Sequence, residues 1–73
     1  MIKDQVVEVG NRKWKIREAV TMEKALDAIA EARVTGSVGC KFTVNRTYVG
    51  GGITVDADVV QLNEDGTERQ PYA

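Results

Sequence analysis

Apolar and polar residues alternate along the first part of the chain in a pattern that predicts a β-hairpin. Residues 5–9 and 12–17 form two alternating runs, and Gly10-Asn11 lies between them. A two-residue loop that begins with glycine favours a type II′ turn, because glycine readily adopts the positive φ required at the first central position. This loop length fixes the register and places Val7 opposite Trp14. The apolar face of the hairpin then consists of Val9, Trp14 and Ile16.

The other face of the same hairpin carries charged residues in complementary positions. The register pairs Glu8 with Lys13 and Asp4 with Arg17. Opposite charges that face each other across two strands stabilise a sheet. One register therefore gives both an apolar face and paired charges, which supports the hairpin interpretation.

Beyond residue 20 the apolar positions recur every three or four residues, which predicts a helix over residues 22–34. Thr21 can act as the N-cap by accepting a hydrogen bond from a first-turn amide, and Glu23 places negative charge near the positive end of the helix dipole. Gly36 can adopt the left-handed conformation that ends a helix. The stripe that we expect to face the core consists of Met22, Ala25, Leu26, Ile29 and either Ala32 or Arg33.

Alternation returns in the second half of the chain and predicts two further strands. The apolar positions of the first run are Val38, Cys40, Phe42 and Val44, and Tyr48 continues the same parity. The second run has Ile53, Val55, Ala57 and Val59 in alternation, whereas Val60 and Leu62 have the other parity. This change predicts a β-bulge near Val59. Residues 64–67 resemble a tight turn, and we expect residues 67–73 to form a short edge strand or to fray.

Together these elements predict an α+β fold in which a small antiparallel β-sheet carries one α-helix packed on one face, in the order β-β-α-β-β. The 73 residues are enough for one thin core, so we expect residues 1–73 to form a single domain. Leu26 and Ile29 should pack across the apolar face of the sheet. That face should contain Trp14, Phe42 and Val55.

Composition limits what this fold could do. The chain contains no histidine, which is the commonest general base and a frequent metal ligand. We therefore expect no enzymatic activity, no metal and no cofactor. Its single cysteine excludes an internal disulfide and suits a reducing compartment. We also find no signal peptide and no stretch that could cross a membrane, so we expect a cytoplasmic protein.

Charge is unevenly distributed and suggests a contact surface. Residues 1–20 carry five basic and three acidic groups, whereas residues 50–73 carry one basic and five acidic groups. Basic residues surround Trp14, which is typical of surfaces that bind acidic protein segments or nucleic acid, and also of cross-strand pairs on a solvated face. The sequence pI of about 5.3 argues against direct nucleic-acid binding. The residues that we predict to contact a partner are Arg12, Lys13, Lys15, Arg17, Arg46 and Tyr48.

Three other features allow both a structural and a functional interpretation. Glu23, Asp27 and Glu31 form an acidic stripe on the helix, which is either solvated or a contact for a basic partner. Asp56 and Asp58 alternate on one strand and could hold a hard cation, although two ligands make a poor site. Residues 50–52 are three glycines that favour a mobile hairpin loop, since no helix follows to form a phosphate-binding motif.

The whole chain resembles the small host-takeover proteins of lytic bacteriophages that bind host bacterial RNA polymerase, and among them the regulators from Xanthomonas phages. The resemblance covers the length, the lack of histidine, the mildly acidic character, Gly10-Asn11 between two strands, the helix start at 21–24 and a β-rich second half. It implies a non-enzymatic protein in the host cytoplasm that binds the polymerase β′ subunit near the N-terminus of that subunit. It also implies a contact with a second polymerase element. It further implies inhibition of initiation by disfavouring σ-factor retention, and antitermination. The alternative is a small nucleic-acid-binding module that uses the basic hairpin.

Overall fold

The computed structural model describes residues 1–45 and 52–71, and it has a four-stranded antiparallel sheet with one helix on one face. The strands are β1 (Ile2–Val9), β2 (Arg12–Ala19), β3 (Gly39–Asn45) and β4 (Ile53–Gln61), and the helix is α1 (Met22–Thr35). The strand order across the sheet is β1-β2-β4-β3, and all neighbours are antiparallel. The α+β class and the β-β-α-β-β order are therefore confirmed.

The hairpin of β1 and β2 has the predicted register but a different turn. Val7 pairs with Trp14. Both turn residues have positive φ, +60° at Gly10 and +63° at Asn11. Positive φ at both central positions defines a type I′ turn, whereas type II′ has it only at the first. The type II′ prediction is therefore wrong, because asparagine is one of the few side-chain-bearing residues that tolerate the left-handed region.

Asp4 does not make the predicted pair with Arg17. The φ of Asp4 is +54°, and the ladder between β1 and β2 pairs the residues on either side of it but not Asp4 itself. Its carboxylate oxygen instead lies 3.8 Å from Nζ of Lys15. The positive φ turns the Asp4 side chain towards Lys15, which lies on β2 like Arg17.

α1 begins where the capping residues predict. The Thr21 hydroxyl oxygen accepts a hydrogen bond from the Lys24 amide at 3.2 Å. Gly36 adopts the left-handed conformation, with a φ of +71°, and its N–H donates to the Ala32 carbonyl. The helix ends at Thr35, one residue later than predicted. Among the described residues, no helix has the length and apolar character needed to span a membrane.

The core lies between α1 and one face of the sheet. Trp14 is only 2% exposed, so the indole points inward as predicted. The buried cluster consists of Trp14, Ile16, Ala19, Ala25, Ala28, Ile29, Ala32, Ala57 and Val59. The expectation that Leu26 packs on the sheet is wrong, because this side chain is 43% exposed. The alanines let α1 lie close to the sheet on a narrow stripe, and Leu26 lies at its margin.

A bulge in β2 differs from the predicted bulge in β4. The register between β2 and β4 shifts between Ile16 and Glu18, which leaves Arg17 as the extra residue. Val59, where the bulge was predicted, pairs regularly with Ile16. The shift of the apolar positions from Val59 to Val60 has another cause. Val60 lies on the face opposite Val59 and is only 5% exposed, so the end of β4 is buried on both faces of the sheet.

A second bulge changes the face on which Val55 lies. The register between β3 and β4 shifts after the pair Phe42–Ala57, and the next pair is Thr43–Val55, so Asp56 is the extra residue. Successive residues of β3 point to opposite faces of the sheet. Val55, opposite Thr43, therefore does not share the face of Phe42, and its predicted place beside Phe42 is wrong.

The segment after β4 folds back beside its end. The Leu62 amide donates to the Lys13 carbonyl at 2.8 Å, and Leu62 forms an antiparallel bridge with Glu68. The Arg69 amide donates to the Gln61 carbonyl at 2.9 Å. These hydrogen bonds hold residues 68 and 69 against the sheet and bring their side chains close to those of β2.

Candidate functional site

Two of the predicted partner contacts, Lys15 and Arg17, lie on the outer face of the sheet in ion pairs. Lys15 Nζ lies 3.7 Å from a Glu68 carboxylate oxygen, and an Arg17 guanidinium nitrogen lies 3.6 Å from Asp58. Arg17 also donates hydrogen bonds to both carboxylate oxygens of Glu68. These two cations therefore serve first to hold the C-terminal segment against the sheet.

The pKa values of this pair follow from the contact. The hydrogen bond from Arg17 lowers the pKa of Glu68 below its ordinary value, and the charges of Arg17 and Lys15 act in the same direction. The same hydrogen bond raises the pKa of Arg17. Both groups thus stay charged over a wider pH range than they would separately. In the adjoining turn, hydrogen bonds from Thr67 lower the pKa of Asp65.

The other two basic residues of β2, Arg12 and Lys13, are exposed at the opposite end of the strand. Arg12 Nη1 donates to the side-chain oxygen of Gln61 at 2.9 Å, and Arg69 Nη1 donates to the same oxygen at 3.2 Å, in the amide orientation that these donors require. Gln61 is 7% exposed. A buried amide oxygen therefore holds two guanidinium groups from distant parts of the sequence side by side.

These two arginines border a cleft of about 370 Å³ between the hairpin turn, the end of α1 and the C-terminal segment. Arg33, from the last turn of α1, also lines it and packs against the hairpin turn. A Cβ atom on Gly10 would lie 2.6 Å from Arg33 Nη2, so this guanidinium packs directly against the glycine of the turn. We call this cleft the arginine cleft; its functional side chains are Arg12, Trp14, Arg33, Gln61 and Arg69.

The arginine cleft is rich in hydrogen-bond donors. None of the described residues that line it is acidic. Trp14 lines the cleft, and its indole Nε1–H is buried without a hydrogen-bond partner in the described parts of the chain. Buried polar groups are normally satisfied, and an exception calls for an explanation. Three permanent cations form an environment suited to an anion.

Sequence reasoning identified Arg12 but missed Arg33, Gln61 and Arg69. Arg33 appeared only as an alternative core position of the helix, although its place just before the Gly36 cap locates it at the end of α1. No signal in the sequence pointed to Arg69, because its position depends on the segment 62–69 folding back. Arg46 and Tyr48, the two remaining predicted contacts, lie outside the described residues.

The outward face of α1 presents a different surface. Glu23, Asp27 and Glu31 are all exposed, as the predicted acidic stripe requires. Beside them the exposed Leu26, Ala30 and Val34 recur at four-residue spacing. Val34 is 84% exposed. We call these six residues the helix face; it combines a short apolar stripe with negative charge.

The other residues with possible chemical roles, Asp56, Asp58 and Cys40, lie in surroundings that favour a structural role. Within residues 1–45 and 52–71, no cluster of three or more potential ligands could hold a metal ion. Asp56 is buried, and Asp58 faces Arg17. Cys40 is half-buried against the core, where burial and then the charge of Glu31 raise the pKa of its thiol. A raised pKa lowers the thiolate fraction, so this cysteine is a weak nucleophile.

Comparison with known proteins gives no relative. No family model matches the chain, and neither a curated protein nor a solved structure is similar to it.

Proposed function

We propose that this protein is a non-enzymatic regulator that binds host bacterial RNA polymerase in the host cytoplasm. The observation that supports a protein partner is the helix face, which carries apolar and acidic residues that the fold itself does not use. The resemblance of the whole chain to small phage regulators supports the polymerase as that partner.

The helix face has the composition of a protein contact. Leu26 and Val34 expose apolar surface whose burial would stabilise a complex, since each Å² removed from water contributes roughly 25 cal/mol. The acidic residues beside them would direct the domain towards a basic region of the partner. The partner surface should therefore be apolar with a basic rim.

The basic hairpin contributes a smaller part of the proposed contact than the sequence suggests. Lys15 and Arg17 already pair with acidic residues of this chain, and replacing those partners would carry a desolvation cost. Arg12 and Lys13 remain exposed at the end of β2 and could touch a second polymerase element.

The regulatory part of the proposal follows from differential binding. A rigid domain that docks on the β′ subunit near its N-terminus changes the affinity for σ only if it binds the two polymerase forms unequally. A coupling free energy of about 1–3 kcal/mol, which is typical of effectors, would weaken σ retention by roughly 5- to 150-fold. Retention of the same protein on elongating polymerase would account for antitermination.

The test uses purified Xanthomonas RNA polymerase, as core enzyme and with σ, in a surface binding assay. We expect saturable binding and loss of σ as the protein is added. Val34→Ser should weaken binding by at least about fivefold, since each buried methyl or methylene group that is lost costs about 0.8 kcal/mol. Ile53→Thr is the matched control, because Ile53 is also largely exposed (75%) but lies away from α1. Absence of binding to either polymerase form would contradict the proposal.

The alternative function, a nucleic-acid-binding module, is favoured by the arginine cleft together with Lys13. It is disfavoured by the ion pairs of Lys15 and Arg17, which remove two cations from the surface that the sequence assigned to it. Oligonucleotide affinity that falls steeply with salt would support this alternative.

A further inference from the structure

We propose that the arginine cleft is a binding site for a small phosphate-bearing molecule, with the phosphate held between the guanidinium groups of Arg12, Arg33 and Arg69. This site is separate from the helix face. It does not depend on the polymerase proposal.

The first argument is charge. Three guanidinium groups from β2, α1 and the C-terminal segment line one cleft, and in the described residues no carboxylate lies within ion-pairing distance of them. Like charges brought together cost free energy unless a counter-charge is bound. A phosphate group carries up to two negative charges and offers several acceptor oxygens, so it balances three cations better than one carboxylate does.

The second argument is preorganisation. The Gln61 side-chain oxygen accepts hydrogen bonds from both Arg12 and Arg69 and fixes their orientation, yet it leaves other guanidinium N–H groups of both residues for a ligand. The Arg33 guanidinium packs against Gly10 and lines the same cleft. The arginines are therefore already ordered in the folded protein, which lowers the entropy cost of binding a ligand.

The third argument is the unpaired donor. The Trp14 Nε1–H is buried beside the cleft without an acceptor in the described residues. Because this nitrogen is closed to solvent, an oxygen of a bound anion would reach and satisfy it only once the side chains that line the cleft shift to admit the ligand. The unpaired indole N–H is thus a feature of the cleft wall that does not depend on the charges of the arginines.

The fourth argument is size. A volume of about 370 Å³ exceeds what one inorganic phosphate fills and falls in the range of roughly 300–1,000 Å³ that small organic ligands occupy. Val9 and Val38, which are half-buried, add a small apolar part to its mostly polar lining. The favoured ligand thus carries an uncharged organic part next to its phosphate.

The experiment follows the indole N–H signal by two-dimensional NMR while inorganic pyrophosphate or adenosine diphosphate is added to the full chain. Trp14 is the single tryptophan, so its signal is unambiguous. We expect a saturable shift of this signal with both probes, and tighter binding of the diphosphate ester. No saturable shift with either probe would overturn the proposal.

Two variants distinguish binding in the arginine cleft from non-specific attraction of anions to positive charge on the protein. Arg33→Gln should weaken binding by at least about tenfold, as expected for loss of a charged hydrogen bond. Lys24→Gln removes the same charge from the other end of α1, and it should change affinity by less than about twofold. Equal losses in the two variants would overturn the proposal.

A third variant keeps the test decisive if Arg33→Gln does not fold. Gln61→Glu places a carboxylate between Arg12 and Arg69, so it should fold and abolish binding of both probes. Unchanged binding in Gln61→Glu would overturn the proposal. So would an indole shift produced only by an oligonucleotide or only by a glutamate-rich peptide, because either would assign the cleft to a macromolecule.

Discussion

Gly39, at the start of β3, has no room for a side chain. A Cβ atom there would lie 2.7 Å from the Val59 carbonyl oxygen, a distance that forces the backbone of β3 or β4 to move. We therefore expect Gly39→Ala to lower the free energy of unfolding by about 1–3 kcal/mol, the usual cost of overpacking.

Gly52 provides the matched control, because a Cβ atom there would meet no heavy atom of the described residues within 4 Å. Gly52→Ala should change the free energy of unfolding by no more than about 0.5 kcal/mol. Urea denaturation of both variants checks this prediction. Equal stability of the two variants would show that β3 and β4 can separate at this point without cost.

Single residues could be assigned from the sequence where local chemistry decides their role. Thr21 and Gly36 were identified as caps, and Trp14 as a buried side chain, because capping and alternation depend on neighbours in sequence. Leu26 was misassigned because helical spacing alone does not define the centre of the buried stripe. The sequence predicted no cleft and gave Arg12 only as a partner contact, since Arg69 joins Arg12 through tertiary structure.

At the scale of elements, the C-terminal segment is held to the sheet by a charge contact that should respond to pH. Arg17 and Lys15 lower the pKa of Glu68 in the folded state from its ordinary value of 4.5. A carboxylate with a lowered pKa contributes stability above its unfolded pKa, and that contribution is lost as pH falls through the folded value. The contact should therefore act fully at pH 7 and fade below about pH 4.5.

Glu68→Gln tests this contact. The variant should be less stable than the parent chain at pH 7, and the difference should shrink as the pH falls below about 4.5, because Glu68 becomes protonated first in the unfolded and then in the folded state. Glu64→Gln removes a charge from the same segment at an exposed residue without a hydrogen bond or ion pair in the described structure, and it should show no such convergence. Thermal denaturation at several pH values provides the measurement, and a pH-independent difference for Glu68→Gln would refute the expectation.

The elements themselves were largely predictable, and their irregularities were not. The β1–β2 register followed from a two-residue loop and one apolar face, so a short stretch of sequence determined it. The bulges at Arg17 and Asp56 depend on how β4 fits between two strands that are remote in sequence, and a single strand carries no sign of this fit. The parity change at Val60 was detected correctly but reflects burial of both faces.

At the scale of the whole molecule, all five elements share one core. β2, α1 and β4 supply its fully buried residues, while Val7 of β1 and Phe42 of β3 pack against it. A core that every element helps to form leaves no part that could remain folded alone. We therefore expect two-state unfolding, in which Trp14 fluorescence and far-ultraviolet circular dichroism give the same transition.

A pair of helix variants makes that expectation specific. Ile29 is fully buried, so Ile29→Val should lower the free energy of unfolding by about 0.5–1.5 kcal/mol in both signals equally. Val34→Ala, on the exposed side of the same helix, should leave the transition within about 0.5 kcal/mol of the parent. If Ile29→Val shifted the circular dichroism transition but not the fluorescence transition, α1 would be unfolding apart from the sheet. The arginine cleft, which needs the end of α1 beside the hairpin turn, would then exist only while the helix is docked.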